Sequence, residues 1–280
     1  MTTNENKDNV VTAAIILDAT YIFLALYNKL EGQWQKKTTK AKHKNNYFDG
    51  YEFINYYFEN IPMHISDLIA TTKMQYISGE NNTADIYITK GAKTSWRNNV
   101  VTNYKSELSN KMIPIIELII RKEIGINDCK LCHGFNLESN DCIALLIEKI
   151  RVQNENMMIH IISNNKRLIQ ISNERTNITN MNNEPLPTNS ILPTYSFFTP
   201  NKFLFFLILK GDTAANIDGV FFDEKSDSDY EQYYENNELI ADECQDIILA
   251  ERLRNNYLIC DYNSIPKRLK ISFNKNNIDI

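Results

Sequence analysis

Residues 11–17 read VTAAIIL, an unbroken apolar run rich in β-branched side chains that ends on Asp18. A strand with one wet face alternates apolar and polar residues. A run without alternation fits a strand covered on both faces, as in a mostly parallel sheet flanked by helices. Residues 19–30 come next, with Ile22, Phe23, Leu26 and Leu30 at helical spacing. The chain therefore opens on a strand-to-helix step with an acid at the strand's C-terminal end, the end at which α/β sheets place their ligands. Asp18 also suits a plain helix cap.

Other stretches repeat the theme. Asp85–Thr89, DIYIT, reads as a short strand, and Met157–Ile162 as a buried one that Ser163–Leu168 turns into a helix. Tyr51–Ile61 and Ile65–Ile77 read as two helices, with Phe48-Asp49-Gly50 as the turn before them. Trp96, Val100 and Tyr104 recur at helical spacing, and Met112–Arg121 is a strongly apolar helix. Glu138 and Asp141, at i and i+3 in the first turn of an amphipathic helix, share a face, although the helix dipole favours acids there in any case. Residues 173–196, with three prolines, read as loop or hairpin.

Residues 203–220, FLFFLILKGDTAANIDGV, carry an apolar run into Lys210-Gly211-Asp212. The run is too short for a bilayer, which needs about 20 apolar residues, so it is a buried helix or strand. Taken alone, Gly211-Asp212 is a turn in which Asp212 caps the next element. From Asp227 onward the chain is acidic, Tyr-rich and helical in pattern, as far as Tyr257–Ile265.

Composition excludes some classes. With 280 residues the chain suits one large domain or one domain and an appendage. A net charge of -5 gives no whole-chain signature for binding polyanions. Met1–Asp8 is polar, so no signal peptide, anchor or membrane association is expected. Five scattered cysteines suit a reducing, cytoplasmic setting, including a host cell if the source is viral or phage. Cys129-Lys-Leu-Cys132-His133 has the spacing of a c-type haem attachment or half a zinc site. The first needs export and the second lacks its other ligands, so a half-buried strand is the better reading. Lys36, Lys37, Lys40, Lys42 and Lys44, close after Trp34, read as a solvated loop or as a phosphate-contacting arch.

In order and spacing, these stretches resemble the 5′-nuclease superfamily of flap endonucleases and 5′-3′ exonucleases, with its PIN-like fold, and most nearly its T-even phage ribonuclease H branch. The matching segments are IILDA, DIYITKGAKTSWRNNVVTNYK, LESNDCIALL, IHIISNNKRLIQI, LILKGDTAANIDGV and, in the tail, YEQYYENNELI and LICDYNSIP. The resemblance implies an α/β fold with a central, mostly parallel sheet and a helical C-terminal portion. The divisions are a disordered 1–10, a PIN-like domain over 11–225 and the helical portion over 226–280. It also implies hydrolysis of phosphodiesters by divalent ions, usually Mg²⁺, held by a cluster of carboxylates.

The acids decide whether that chemistry survives. Asp18, Glu138, Asp141 and Asp212 remain as catalytic and metal-binding candidates. Thr89 replaces the acid of the second strand and Asn140 the middle acid of the third motif. Asn165 and Arg167 take two aspartate positions after Ser163, and Ala215 takes the second aspartate of the glycine-aspartate motif. A unit charge about 6 Å from a divalent ion, at an effective dielectric near 20, is worth roughly 5 kcal/mol. Arg167 reverses the sign of one such contribution, and other positions have lost theirs.

The leading expectation is thus a replication or repair protein of nuclease fold that binds branched or single-stranded nucleic acid, or an RNA–DNA hybrid, with lost or strongly reduced cleavage. It would carry no cofactor or a weakly held Mg²⁺. The lysine cluster, Arg97, Lys105, Lys166 and Arg167 are the candidate nucleic-acid contacts, and a replication protein is a further candidate partner. One alternative is an active one-metal nuclease using the four residual acids. The other is a structural subunit that no longer touches nucleic acid.

Overall fold

The computed structural model describes residues 11–40, 50–77, 83–104, 120, 129–186, 199–223 and 225–277. Strand β1 (Val11–Asp18) is the middle of a five-stranded sheet of order β3-β2-β1-β4-β5. The others are β2 (Thr83–Lys90), β3 (Lys130–His133), β4 (Met158–Ile162) and β5 (Thr176–Thr179), and every pairing is parallel. Both faces are covered, as the unbroken run in β1 requires. Ile15 and Leu17 pack with α1 (Ala19–Lys40) and α2 (Gly50–Tyr76). Ala14 and Ile16 face the other way, into a core shared with α3 (Ser139–Gln153).

Register sets the site. Asp18 pairs with Thr89 across β1–β2, and Leu17 with Ile162 across β1–β4. The chain runs outward through β2 and β3, then returns to the other side of β1 as β4. The strand order therefore reverses between β1 and β4, where α/β sheets open a crevice at their C-terminal edge.

Several expectations need correction. The two helices expected over 51–77 are one 27-residue helix that continues through Pro62. An interior proline costs about 3 kcal/mol. The buried stripe of Phe53, Tyr57, Ile61, Ile65 and Leu68 runs on in register past it, and such side chains contribute roughly 1.5–3 kcal/mol each. Trp96, Val100 and Tyr104 do not lie on one helix: a 3₁₀ turn spans Trp96–Asn99, capped by the Ser95 side chain. The stretch read as loop or hairpin contains β5, a strand too short and polar to announce itself. Residues 31–40 continue α1, so Lys36, Lys37 and Lys40 lie on a helix and not in a loop. Lys42, Lys44, Lys105, the Phe48-Asp49 turn, residues 1–10 and most of Met112–Arg121 lie outside the described residues. Cys129 and Cys132 are buried, and Cys132 is on β3, in line with the strand reading of that motif.

The apolar run near residue 203 is helix α4 (Pro200–Lys210), capped by Thr199 with proline in its first turn. It stops at Gly211, whose φ is +75°. A Cβ there would lie 2.4 Å from the Ile217 carbonyl oxygen, so only glycine lets Asp212 and Ile217 exchange their backbone hydrogen bonds at 2.9 and 3.0 Å. The rest is helical: α5 (Asp227–Glu235), α6 (Glu238–Glu243), α7 (Ile247–Cys260) and α8 (Lys267–Asn276). Leu269 and Phe273 of α8 enter the same core as Ala14 and Ile16, so sheet and C-terminal helices share packing. No helix among the described residues is long and apolar enough to cross a membrane.

Candidate functional site

Asp18 ends β1 at the switch point and is 1% exposed. Ser139 Oγ donates to its Oδ1 at 2.8 Å and Ser163 Oγ to its Oδ2 at 2.6 Å. Burial holds its pKa above the ordinary carboxylate value, against the lowering effect of the two serine hydroxyls. Thr89, where the resemblance expects an acid on the second strand, lies 2.9 Å from Ser139 Oγ and 3.3 Å from the Leu17 carbonyl. The first acid is thus held by hydroxyl groups.

Glu138 and Asp141 sit at the N-terminus of α3 in a reciprocal capping box, with the Glu138 N–H donating to Asp141 Oδ2 at 3.0 Å. Asp141 carries a larger load. Arg97 Nη1 and Nη2 reach its two oxygens at 2.7 Å each, and the Trp96 indole donates at 3.1 Å. Arg97 Nε donates to the Ile259 carbonyl at 2.7 Å. Arg97 is fully buried, so it is not on a nucleic-acid surface as expected. Burial works to lower its pKa, but Asp141 and Glu138 raise it above the usual guanidinium value, and it stays charged. Trp96 and Arg97, neighbours in sequence on the 3₁₀ turn, both reach this one carboxylate.

Arg167 makes the second such arrangement. The Ser163–Asn165 corner after β4 is tied by Asn165 N to Ser163 Oγ at 3.0 Å, and the Asn165 side chain caps the 3₁₀ helix that starts at Lys166. Arg167 Nε donates to Asp212 Oδ2 at 3.0 Å, and Nη1 to the Tyr104 hydroxyl at 2.8 Å. Tyr104 in turn donates to Glu138 Oε2 at 3.0 Å. That oxygen also lies 3.7 Å from Arg97 Nη1 and 4.0 Å from Arg167 Nη1. Asp212 Oδ1 accepts from the Ala214 N–H at 3.1 Å, so the capping role expected for it holds. Burial lowers the Arg167 pKa, yet Tyr104, Asp212 and Glu138 more than offset this.

Asp18, Asn165, Arg167, Asp212 and Ala215 line one cavity of about 430 Å³. A neighbouring cavity of about 470 Å³ is lined by Lys166, Arg167, Lys210 and Gly211 among others. Lys166 is exposed at this rim, whereas Asn140 is fully buried and its Oδ1 accepts from the Asp141 N–H at 2.9 Å. Lys36 is exposed on α1.

These donors do not fit a divalent-metal centre. Both oxygens of Asp141 belong to Arg97, and both of Asp212 are hydrogen-bonded. Glu138 Oε1 has no hydrogen-bond partner among the described residues, but the other oxygen of the same carboxylate already has two guanidinium groups within 4.0 Å. Among the described residues no three Asp, Glu, His or Cys side chains could share an ion. Sequence reasoning missed Ser139, Ser163, Trp96 and Tyr104 as partners of the acids. Nothing local marks such residues, since each acts across 34 or more positions.

No family model matches the chain. It is 30% identical over 146 residues to a 5′-3′ exonuclease of Buchnera aphidicola subsp. Schizaphis graminum, covering 50% of this chain and 49% of that protein. Over 142 residues it is 28% identical to the 5′-3′ exonuclease of Buchnera aphidicola subsp. Acyrthosiphon pisum, covering 48% and 47%. The chain thus spans about half the length of these curated relatives. A mutant T5 5′-exonuclease structure superposes with a TM-score of 0.59 at 13% identity, over 96% of this chain and 98% of that one. A T5 flap endonuclease solved as a pseudo-enzyme–product complex with DNA and metal ions gives 0.57 at 14%, over 95% and 98%. A zinc-bound T5 5′-exonuclease gives 0.58 at 12%, over 96% and 99%.

Proposed function

The chain belongs to the 5′-nuclease superfamily, and from that premise we propose that it binds branched or single-stranded nucleic acid with its cleavage chemistry lost or strongly reduced. One observation carries this reading: Arg167 occupies the space between Asp212 and Glu138, on the wall of the cavity that Asp18 also lines. A guanidinium there supplies the positive charge a phosphate would meet without supplying an activated water, which is the metal's contribution to hydrolysis when bound. Lys166, exposed at the rim, adds a point charge toward a phosphate. Lys36, exposed on α1, is a further candidate contact.

The residues of the chain would then bind and orient, not cleave. Asp18 is held by two serine hydroxyls, which leave its oxygens committed within the protein. Arg97 with Asp141 fixes the start of α3, and Arg167 with Asp212 fixes the glycine-aspartate turn. A T5 flap endonuclease of this fold is known as a pseudo-enzyme–product complex with DNA and metal ions, which supports DNA as the class of ligand.

The test is a cleavage assay on 5′-flap DNA and RNA–DNA duplex with Mg²⁺ or Mn²⁺, beside binding to the same substrates in chelator across a salt series. No turnover, with affinity that falls linearly on a log-log salt plot, is the expected result. Turnover that disappears in Asp18→Ala would overturn it in favour of a one-metal nuclease.

A further inference from the structure

Helix α4 presents two faces. Leu207, Lys210 and Gly211 border the cavity beside Arg167. Leu204, Phe205 and Ile208 turn away from it and, with Ile240 of α6 and Leu253 and Tyr257 of α7, line an open groove of about 700 Å³. Tyr257 is half exposed, and Ile247 is 83% exposed on the helix face it shares by spacing with Ala250 and Arg254. The apolar surface therefore runs on beyond the groove floor.

The margin is acidic. Residues 227–251 hold nine Asp or Glu and no Lys, Arg or His. Asp227, Glu231 and Glu243 are paired with Lys210, Lys202 and Lys225. Asp229 and Asp246 cap helices α5 and α7. Glu235, Glu238, Asp242 and Glu251 have no ion-pair partner among the described residues. Three of these stand directly after groove-lining residues: Glu238 after Asn237, Asp242 after Ala241 and Glu251 after Ala250. Arg254 is the one cationic side chain in the lining among the described residues.

An apolar trough with uncompensated carboxylates at its edge repels phosphate and anionic lipid. It complements a helix with an apolar stripe and basic flanks, the helix-in-groove mode in which apolar anchors fill the floor and charge sets orientation and choice of partner. We propose that this groove docks an amphipathic, basic helix of another protein. The inference is independent of nucleic-acid binding, because it uses the opposite face of α4.

The probe is a labelled peptide of about 18 residues, five helical turns, with leucines at i, i+3, i+4 and i+7 and lysines elsewhere. Anisotropy is read against a scrambled peptide of equal composition and a leucine–glutamate counterpart. The full chain is expected to bind the first peptide at least about tenfold more tightly than either control. Ala241→Trp, at an exposed lining position, and the pair Glu238→Lys with Asp242→Lys should each weaken it by about tenfold or more, with unchanged circular dichroism. Equal binding of the scrambled peptide, or no effect of Ala241→Trp, overturns the proposal. So does a dimer in light scattering that Ala241→Trp dissociates, which would make a second copy of the chain the occupant.

Discussion

Arg97 and Asp141 form a bidentate ion pair in which both side chains are fully shielded from solvent, each nitrogen–oxygen distance being 2.7 Å. The pair bridges the 3₁₀ turn after β2 to the first turn of α3, and Arg97 Nε adds the Ile259 carbonyl of α7. Three segments distant in sequence meet on one guanidinium.

Removing one partner leaves the other charged and buried, which costs about 3–5 kcal/mol. Arg97→Met is expected to lose that much in urea unfolding at pH 7. The double variant Arg97→Met/Asp141→Leu should recover most of it, because apolar replacement of a whole buried pair is close to neutral. A loss under about 1 kcal/mol in the single variant would mean that the pair is already open to water.

Arg167→Asp is expected to raise the affinity of the chain for a divalent ion. It removes the positive charge between Glu138 and Asp212 and adds an acid beside them. Mn²⁺ titration followed by calorimetry should show binding at least about tenfold tighter than in the natural chain, a small part of the roughly 5 kcal/mol Coulomb estimate. Equal affinity in both chains would show that Arg167 does not govern ion binding.

Asp18→Asn should stabilise the fold at pH 7. The carboxyl pKa is raised by burial, so the folded state takes up a proton more readily than the unfolded chain, whose value is near 3.8. Ionised Asp18 therefore costs stability at neutral pH, and that cost fades as pH falls through the raised folded value. Asparagine keeps an acceptor for one serine and gives the other a donor. A gain of about 0.5–2 kcal/mol is expected, and a clear loss would contradict the raised pKa.

His160 gives the opposite dependence. It stacks on Tyr76 at 3.9 Å and its Nε2 lies 2.9 Å from Thr179 Oγ1. Burial depresses its pKa from 6.5 to about 4. The unfolded chain then binds the proton first, so stability falls as pH drops from about 6.5 to about 4, by up to about 3 kcal/mol. The shift in urea midpoint between pH 7 and pH 4.5 should be smaller in His160→Gln than in the natural chain.

Lys166→Ala should weaken binding of single-stranded and flap DNA alike and make the salt dependence shallower by about one phosphate contact. An unchanged slope would place the nucleic acid elsewhere on the surface.

The strand-to-helix step at Asp18, the acidic start of α3 and the glycine-aspartate turn were legible because each is a local pattern. An unbroken apolar run, a capping spacing and a glycine before a capping acid signal within a few residues. Arg97 was misread for the opposite reason. An arginine in a polar-looking segment is exposed by default, and only the fold supplies the carboxylate 44 positions away that makes its burial tolerable. The continuous helix through Pro62 and the strand β5 were likewise settled by what they pack against.

By itself, then, the amino-acid order determined a mostly parallel sheet covered on both faces, Asp18 at its C-terminal edge, and uncharged or cationic side chains at Thr89, Asn140, Asn165, Arg167 and Ala215, where the resemblance expects acids. Only the tertiary structure decided what the surviving acids do: Asp18 is held by two serines, Asp141 by Arg97, Asp212 by Arg167. The physical reason is range. Secondary structure and charge count depend on near neighbours, whereas the partner of a buried charge is chosen by how distant segments come together, and desolvation penalises any arrangement that leaves it unpaired.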